Sequence, residues 1–286
     1  MLERVDRMQL AVRDREEAAS TFAAVLGAQV VREDAVRSLG AGRTVVRAGE
    51  AEFELLQPSG DGVLAEHMER WGEGIFAGGF STRDVNALAV HLSGRGVAFT
   101  TEGEQLLIGP DQTRGMRMVI SPLRNEAGAG LPAGRHGLIN FLYEVTNIVT
   151  DHKESAAFYA DAFALDASRF CPIASDHWGY SGTLTLFDPP ARLDRIEITQ
   201  TNQPMAMGRF YERRGQSVYM CYAETEDTAP IVAALEARGG RYTVGREDGA
   251  GNMFVHPTAL CGMLMGISRT NLAWTWSGRP ELAKVG

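Results

Sequence analysis

The 286-residue chain has few cysteines, no long apolar run and no concentration of basic residues. Its three cysteines, Cys171, Cys221 and Cys261, are odd in number and have no CxxC spacing. This usage predicts neither a disulfide framework nor a zinc site and fits a reducing, cytoplasmic setting. No apolar segment approaches the roughly 20 residues that cross a bilayer. The charged N-terminus leads straight into a strand-like segment, so no signal peptide is expected.

The charged residues are well mixed along the chain, with 36 acidic against 28 basic ones and a net charge of −8. Nothing resembles the basic stripe of a nucleic-acid-binding protein. The remaining composition, 44% hydrophobic, is that of an ordinary globular protein. These features predict a small-molecule substrate or ligand as the partner, with no nucleic acid and no membrane. These features are also compatible with a homo-oligomer.

The chain contains an internal duplication. Residues 72–84 and 215–227 each read as a strand that ends in an acidic turn and opens a helix. Both helices stop at a glycine, Gly96 or Gly239, as a left-handed C-terminal cap prefers. The spacing is constant, because 227 − 84 and 239 − 96 both equal 143. Two equivalent domains are therefore predicted.

The glycine-rich residues 125–134 are the natural boundary between the two copies. We predict an N-terminal domain over residues 1–124, a linker over 125–136, a C-terminal domain over 137–272 and a tail over 273–286. Each domain also repeats within itself, because an early strand, a helix and a closing Gly27 follow the same order as the later unit. Four such units, each with one helix and several strands, predict an α+β protein.

Three segments carry a family resemblance: residues 5–14, residues 158–165, and the hairpin of residues 254–257 and 261–267. They resemble the first strand, first helix and closing hairpin of the vicinal oxygen chelate superfamily, which includes glyoxalases, bleomycin-resistance proteins and extradiol dioxygenases. The resemblance implies four βαβββ modules paired into two cup-shaped, glyoxalase-like domains. The length is closest to that of the two-domain dioxygenases.

In that superfamily, inward-facing strand residues of each cup hold a divalent metal. The resemblance places the corresponding positions of the first cup at Arg7, Glu54, Ala77 and Val119. Arginine is a permanent cation, and alanine and valine offer no donor. We therefore predict no family-type metal in the first cup. An ion pair between Arg7 and Glu54 is expected there instead, which makes this half a scaffold.

The corresponding positions of the second cup are Glu144, Glu197, Met220 and Gly266. A dioxygenase resemblance would require two histidines and a glutamate at the first, third and fourth of these. No metal site and no cofactor are therefore predicted. Weak binding of a divalent cation by Glu144 and Glu197 remains open.

Two buried carboxyl groups offer another chemistry, because burial and a neighbouring carboxylate both raise a carboxyl pKa. Such a pair can serve as acid and base in proton transfer, and Glu144 and Glu197 are the candidate catalytic residues. In the alternative interpretation, one glutamate is solvated and the other pairs with an arginine such as Arg195 or Arg209.

Other residues of the second half can complete a pocket. His177 lies in a predicted loop at the cup's mouth and is a candidate proton shuttle; the alternative is a surface histidine. The candidate substrate-binding residues are mostly aromatic, and core packing is the alternative for each. They are Tyr143, Tyr180, Tyr219, Tyr222, Trp178, Phe187 and Met220.

These observations favour a metal-independent lyase or isomerase that acts on a small aromatic or carbonyl compound in the second cup, in keeping with aromatic compound metabolism. A non-catalytic binder of drugs or metabolites, of the bleomycin-resistance type, is the first alternative. A dioxygenase-like metal enzyme with displaced ligands is the second.

Overall fold

The structure is a computed structural model, and it describes residues 1–124, 137–187, 192–245 and 252–269. The predicted linker, residues 125–136, and the predicted tail, residues 273–286, lie outside the described residues. The domain boundaries therefore stay predictions. No helix in the described ranges is both long and apolar enough to span a membrane.

In the residues that the structure describes, each half contains eight strands and three α-helices in the same order. The strands of the first half are Arg4–Ala11 (β1), Gln29–Val36 (β2), Ala41–Ala48 (β3), Ala51–Pro58 (β4), Gly74–Thr82 (β5), Thr100–Glu102 (β6), Gln105–Ile108 (β7) and Met118–Pro122 (β8). Its helices are Arg15–Leu26 (α1), Val63–Trp71 (α2) and Val85–Gly94 (α3).

The second half repeats this order. Its strands are Phe141–Ile148 (β9), Cys171–Ser175 (β10), Tyr180–Leu186 (β11), Arg195–Thr201 (β12), Ser217–Glu224 (β13), Tyr242–Val244 (β14), Met253–Val255 (β15) and Met265–Ser268 (β16). Its helices are His152–Phe163 (α4), Ala206–Arg214 (α5) and Ala229–Ala237 (α6).

The strands form two eight-stranded sheets of identical topology. Their orders are β2-β3-β4-β1-β5-β8-β7-β6 and β10-β11-β12-β9-β13-β16-β15-β14. Within each sheet, one βαβββ module joins the next through an antiparallel pair, β1 with β5 or β9 with β13. The α+β class, the four modules and the two cup-shaped domains are thus confirmed.

Local sequence signals set the helix ends, and they recur in both halves. The side chain of Asp14 accepts hydrogen bonds from two backbone N–H groups of the first turn of α1. Asp151 does the same for α4. Gly27, Gly96 and Gly239 all have the positive φ predicted for the end of a helix.

One face of each sheet packs against helices, and the two halves share the resulting core. A single cluster of buried side chains runs from Val5 on β1 to Ile267 on β16. The rings of Phe80 and Phe187, one from each half, meet within it at 6.0 Å between centroids. The opposite face of each sheet lines a cup, and the candidate site lies on that face of the second sheet.

Candidate functional site

The floor of the second cup is formed by the adjacent parallel strands β9 and β12. In their register, Arg195 stands opposite Glu144, and Glu197 stands opposite Thr146. Alternate residues of a strand share a face, so Glu144 and Thr146 share the face of Ile148, which packs in the cup's apolar cluster. The two predicted carboxyl groups therefore come together on the cup side of the sheet.

Glu144 is held by an ion pair at the cup floor. The Nε atom of Arg195 donates to its Oε2 atom at 2.6 Å, and both side chains are fully buried. The pairing with Arg195, predicted as the alternative role of one glutamate, is confirmed for Glu144. The side chain of Glu144 is also hydrogen-bonded to that of Glu197.

Glu197 lies beside this ion pair and is 6% exposed, which rules out the solvated carboxylate of the alternative interpretation. The hydroxyl of Thr146 donates to its Oε2 atom at 2.6 Å. Burial, followed by the negative charge of Glu144, raises the pKa of Glu197 well above its ordinary value. Arg195 provides one positive charge for two carboxyl groups, and the raised pKa favours the protonated form of Glu197.

A β-bulge shapes the same floor from the other side. The pairing of β9 with β13 shifts register so that Tyr222 faces Glu144 and Ala223 faces Leu142, leaving Tyr143 as the extra residue. The hydroxyl of Tyr143 is 2.7 Å from the Oγ atom of Ser268. The guanidinium of Arg195 lies over its ring at 4.8 Å. Tyr143 therefore packs against the arginine of the ion pair.

Tyr222 on β13 is paired with Gly266 on β16 in the second sheet. A Cβ atom added to Gly266 would lie only 2.2 Å from the Cε1 atom of Tyr222, so glycine is required there for the ring to fit. The ring centroid of Tyr222 is 5.9 Å from that of Tyr143 and 5.8 Å from that of Phe254. The place that the resemblance gave to a fourth metal ligand is thus taken by an aromatic ring.

The remaining predicted residues fall into different places. Tyr180 belongs to the apolar cluster of the cup, and Tyr219 packs against that cluster and against Phe210 at 5.0 Å. Met220 is buried on β13. Phe187 is not part of the pocket: it packs in the shared core. It directly follows the end of β11, so its position in the sequence does not indicate which face it joins.

The mouth of the second cup carries an exposed aromatic pair. Trp178 lies in the turn between β10 and β11, is 47% exposed, and has its ring 6.1 Å from that of Phe254. His177 is exposed in the same turn, and its ring lies against Trp178 at 4.6 Å. The structure thus places His177 at the mouth, as predicted, and its role as a proton shuttle stays a prediction.

Sequence reasoning missed Thr146, and the way Tyr222 packs over Gly266. Thr146 was not singled out because a strand threonine has no distinctive pattern. A usable signal existed for Tyr222, since the 143-residue offset makes it the equivalent of Gly79 in the first half. A large ring that replaces a glycine indicates that the two cups are filled differently.

The first cup is closed by a dense polar network. Glu54 accepts hydrogen bonds from Arg7 and Arg43 at 3.0 Å, which confirms the predicted ion pair with Arg7. It also accepts from Gln9 at 2.9 Å and Gln105 at 3.0 Å. The two arginines offset burial and lower the pKa of Glu54 to about 2. Glu54 is therefore ionised and fully engaged.

Neither cup offers the donor set of the superfamily's metal. In the described part of the chain, no three His, Cys, Asp or Glu side chains come together as a metal site. Glu144 is bound to Arg195, and Glu54 is bound to two arginines. The ring of Tyr222 fills the space next to Gly266, the fourth predicted position of the second cup. The residues present do not fit the metal that the fold family implies.

The paired cups and their topology define a two-domain protein of the glyoxalase type. Residues 4–109 match the model of the Glyoxalase/Bleomycin resistance protein/Dioxygenase superfamily. This match covers most of the first half, and the second half repeats the same sheet topology. No curated protein matches the chain.

Solved structures match this chain at low sequence identity. A mutant of 4-hydroxymandelate synthase from Streptomyces coelicolor is 17% identical, with a TM-score of 0.71 over 100% of this chain and 98% of that one. A xylose isomerase-like TIM barrel/4-hydroxyphenylpyruvate dioxygenase fusion protein is 11% identical, with a TM-score of 0.63 over 99% of this chain and 51% of that one. Methylmalonyl-CoA epimerase from Streptomyces coelicolor is 20% identical and covers 43% of this chain and 100% of its own, with a TM-score of 0.39.

Proposed function

We propose that the second cup is the active site of a metal-independent lyase or isomerase that acts on a small aromatic or carbonyl compound. The observation that carries this proposal is the buried pair of Glu197, whose pKa is raised, and Glu144, which is ion-paired with Arg195. Enzymes that move protons at neutral pH keep two titratable groups in opposite protonation states in this way.

The two glutamates have different roles in this proposal. Glu197 is the more exposed of the two, and it donates its proton to the substrate's carbonyl or phenolic oxygen. Glu144, which is hydrogen-bonded to Glu197, accepts a proton from the adjacent carbon. Arg195 is a positioning residue, because it holds the charge of Glu144 and touches no substrate. A proton passing from Glu144 back to Glu197 restores the starting state.

The surroundings of the floor suit an apolar substrate. The wall combines Tyr180 with the aliphatic residues of the cup cluster. Trp178 and Phe254 present aromatic faces at the mouth, and flat rings stack favourably on such faces. A compact compound with one aromatic ring and one oxygen fits this combination of an apolar wall and a polar floor.

Exchange of substrate protons with solvent tests the proposal without knowledge of the product. A panel of aryl ketones and phenols is incubated with the protein in D₂O, and loss of the carbon-bound proton signal is followed by NMR. We expect at least one compound to exchange. Glu144→Gln and Glu197→Gln should each slow its exchange by about 10²-fold or more. Glu16→Gln, on the exposed side of α1, serves as the matched control.

One observation favours a second candidate, a non-catalytic binding protein. Glu144 is fully buried and its Oε2 atom is occupied by Arg195, an arrangement that also suits a static floor beneath a bound ring. The same panel separates the two functions. Compounds that bind saturably but show no exchange, with equal affinity for the wild type and Glu144→Gln, would support the binder and contradict the enzyme.

A further inference from the structure

A second charged cluster lies outside both cups, at the seam between the halves. We call it the seam cluster, and it consists of His67 on α2, Arg117 just before β8, and Arg214 at the end of α5. The segment before β8 is fixed against the second half, because Gly115 packs tightly on the backbone of Gln216. The seam cluster therefore brings two cationic residues of different halves next to one histidine.

Aromatic rings hold these residues in place. The guanidinium of Arg117 lies over the ring of Phe76 at 4.6 Å, and the ring of His67 meets the same ring edge-on at 5.2 Å. The guanidinium of Arg214 lies over Trp71, one helical turn after His67, at 4.7 Å. Each of the three residues is half-buried. Their positions are thus set by packing and not by ion pairs.

The seam cluster lacks the acidic partners that other buried arginines of this chain have. Arg7, Arg43 and Arg195 are all paired with carboxylates. In the described ranges, neither Arg117 nor Arg214 has a carboxylate oxygen within 4.0 Å, and Asp111 acts on Arg117 only from farther away.

His67 is similarly unsatisfied. Its Nε2 atom is buried without a hydrogen-bond partner among the described residues. Burial and the two arginines lower its pKa to about 4, so the ring is neutral at pH 7 and one of its nitrogens carries a proton. Partly desolvated cations and an unsatisfied buried ring nitrogen both cost free energy that a bound anion would offset.

We propose that His67, Arg117 and Arg214 form a binding site for the oxyanion of a small molecule, a carboxylate or a phosphate. Guanidinium groups present forked N–H donors that match both kinds of oxyanion. The Nε2–H tautomer of His67 adds a neutral donor. The site is separate from the second cup and needs residues of both halves, and it does not depend on the function proposed for that cup.

Titration calorimetry with sodium benzoate and with inorganic phosphate, at constant ionic strength, tests this site. We expect saturable binding of at least one ion, weakened about tenfold or more in Arg117→Gln and in Arg214→Gln. Arg70→Gln is the matched control, because Arg70 also lies over Trp71 at 4.7 Å but is exposed on the outside of α2. Its affinity should stay within about twofold of the wild type.

The two ions also identify the source of the oxyanion. Tighter binding of phosphate assigns the site to phosphate esters, and tighter binding of benzoate assigns it to organic acids. Absence of saturable binding for both would overturn the proposal. So would benzoate binding that survives in Arg117→Gln and Arg214→Gln, since the ion would then occupy another place such as the second cup. Circular dichroism melts establish that each variant is folded.

Discussion

Glu54 and Glu197 occupy the same place in the two halves, 143 residues apart, and yet their pKa values are shifted in opposite directions. Glu54 meets two arginines, and its pKa falls to about 2. Glu197 meets a threonine and a second glutamate, and its pKa rises. The strand position is the same and both sites are buried. The neighbours therefore decide in which direction the pKa of a carboxyl group on a cup floor is shifted.

A reversal of charge between neighbouring strands accompanies this difference. In the first half Arg7 stands opposite Glu52, whereas in the second half Glu144 stands opposite Arg195. The first cup adds Arg43 as a further cation, while the residue at the matching register in the second cup is Gly182. The loss of that one cation leaves two carboxyl groups with a single arginine.

The sharpest test of this comparison is to replace both glutamates by glutamine. Glu54→Gln removes the buried carboxylate that Arg7 and Arg43 share, while Asp6 and Asp34 stay paired with them, so it should lower the free energy of unfolding by about 1.5–3 kcal/mol. Glu197→Gln exchanges one neutral group for another and should cost about 1 kcal/mol or less. Urea unfolding at pH 7 measures both. Equal losses would mean that Glu197 is ionised.

The filling of the two cups gives a second test. Gly266→Ala places a methyl group against the ring of Tyr222 and should destabilise the protein by about 1–3 kcal/mol. Tyr222→Ala in the same chain should relieve the clash, so the two substitutions should not be additive. Thermal unfolding of the two single variants and the double variant measures this coupling. Additive losses would show that the ring does not fill the space above Gly266.

The pH dependence of stability gives the smallest and most diagnostic effect. A carboxyl with a raised pKa binds more protons in the folded state, so Glu197 lowers stability as pH rises from about 4.5 to its own pKa. Glu54 acts oppositely, because its pKa is lowered: its stabilisation is lost as pH falls from about 4.5 to about 2. Each contributes a slope of at most about 1.4 kcal/mol per pH unit.

Unfolding measured across pH in the single glutamine variants separates the two contributions. Glu197→Gln should remove the decline in stability above pH 4.5 and leave the loss of stability below pH 4.5 unchanged. Glu54→Gln should reduce only the loss of stability below pH 4.5. A wild-type protein whose stability keeps rising above pH 4.5, and does so identically in Glu197→Gln, would contradict the raised pKa.

The fold was predictable because duplication repeats local signals, such as the capping aspartates and the glycines that end helices. The Arg7–Glu54 pair was predictable too, since both residues fell on inward positions of one cup. The choice of Arg195 over Arg209 as the partner of Glu144 depends on the register of β9 and β12, which no local pattern records. Tyr222 and Gly266 meet only because β13 and β16 pair in parallel.

The reversed charge pairs also bear on how the two halves diverged. If both descend from one ancestral half, a single change at either position would have set two like charges against each other in a buried site. Arg7→Glu, for example, would face Glu52, and Glu144→Arg would face Arg195. Such an intermediate folds poorly. Divergence therefore required an intermediate with an uncharged residue at one of these positions. Otherwise, one half must have kept the protein stable and functional while the other changed.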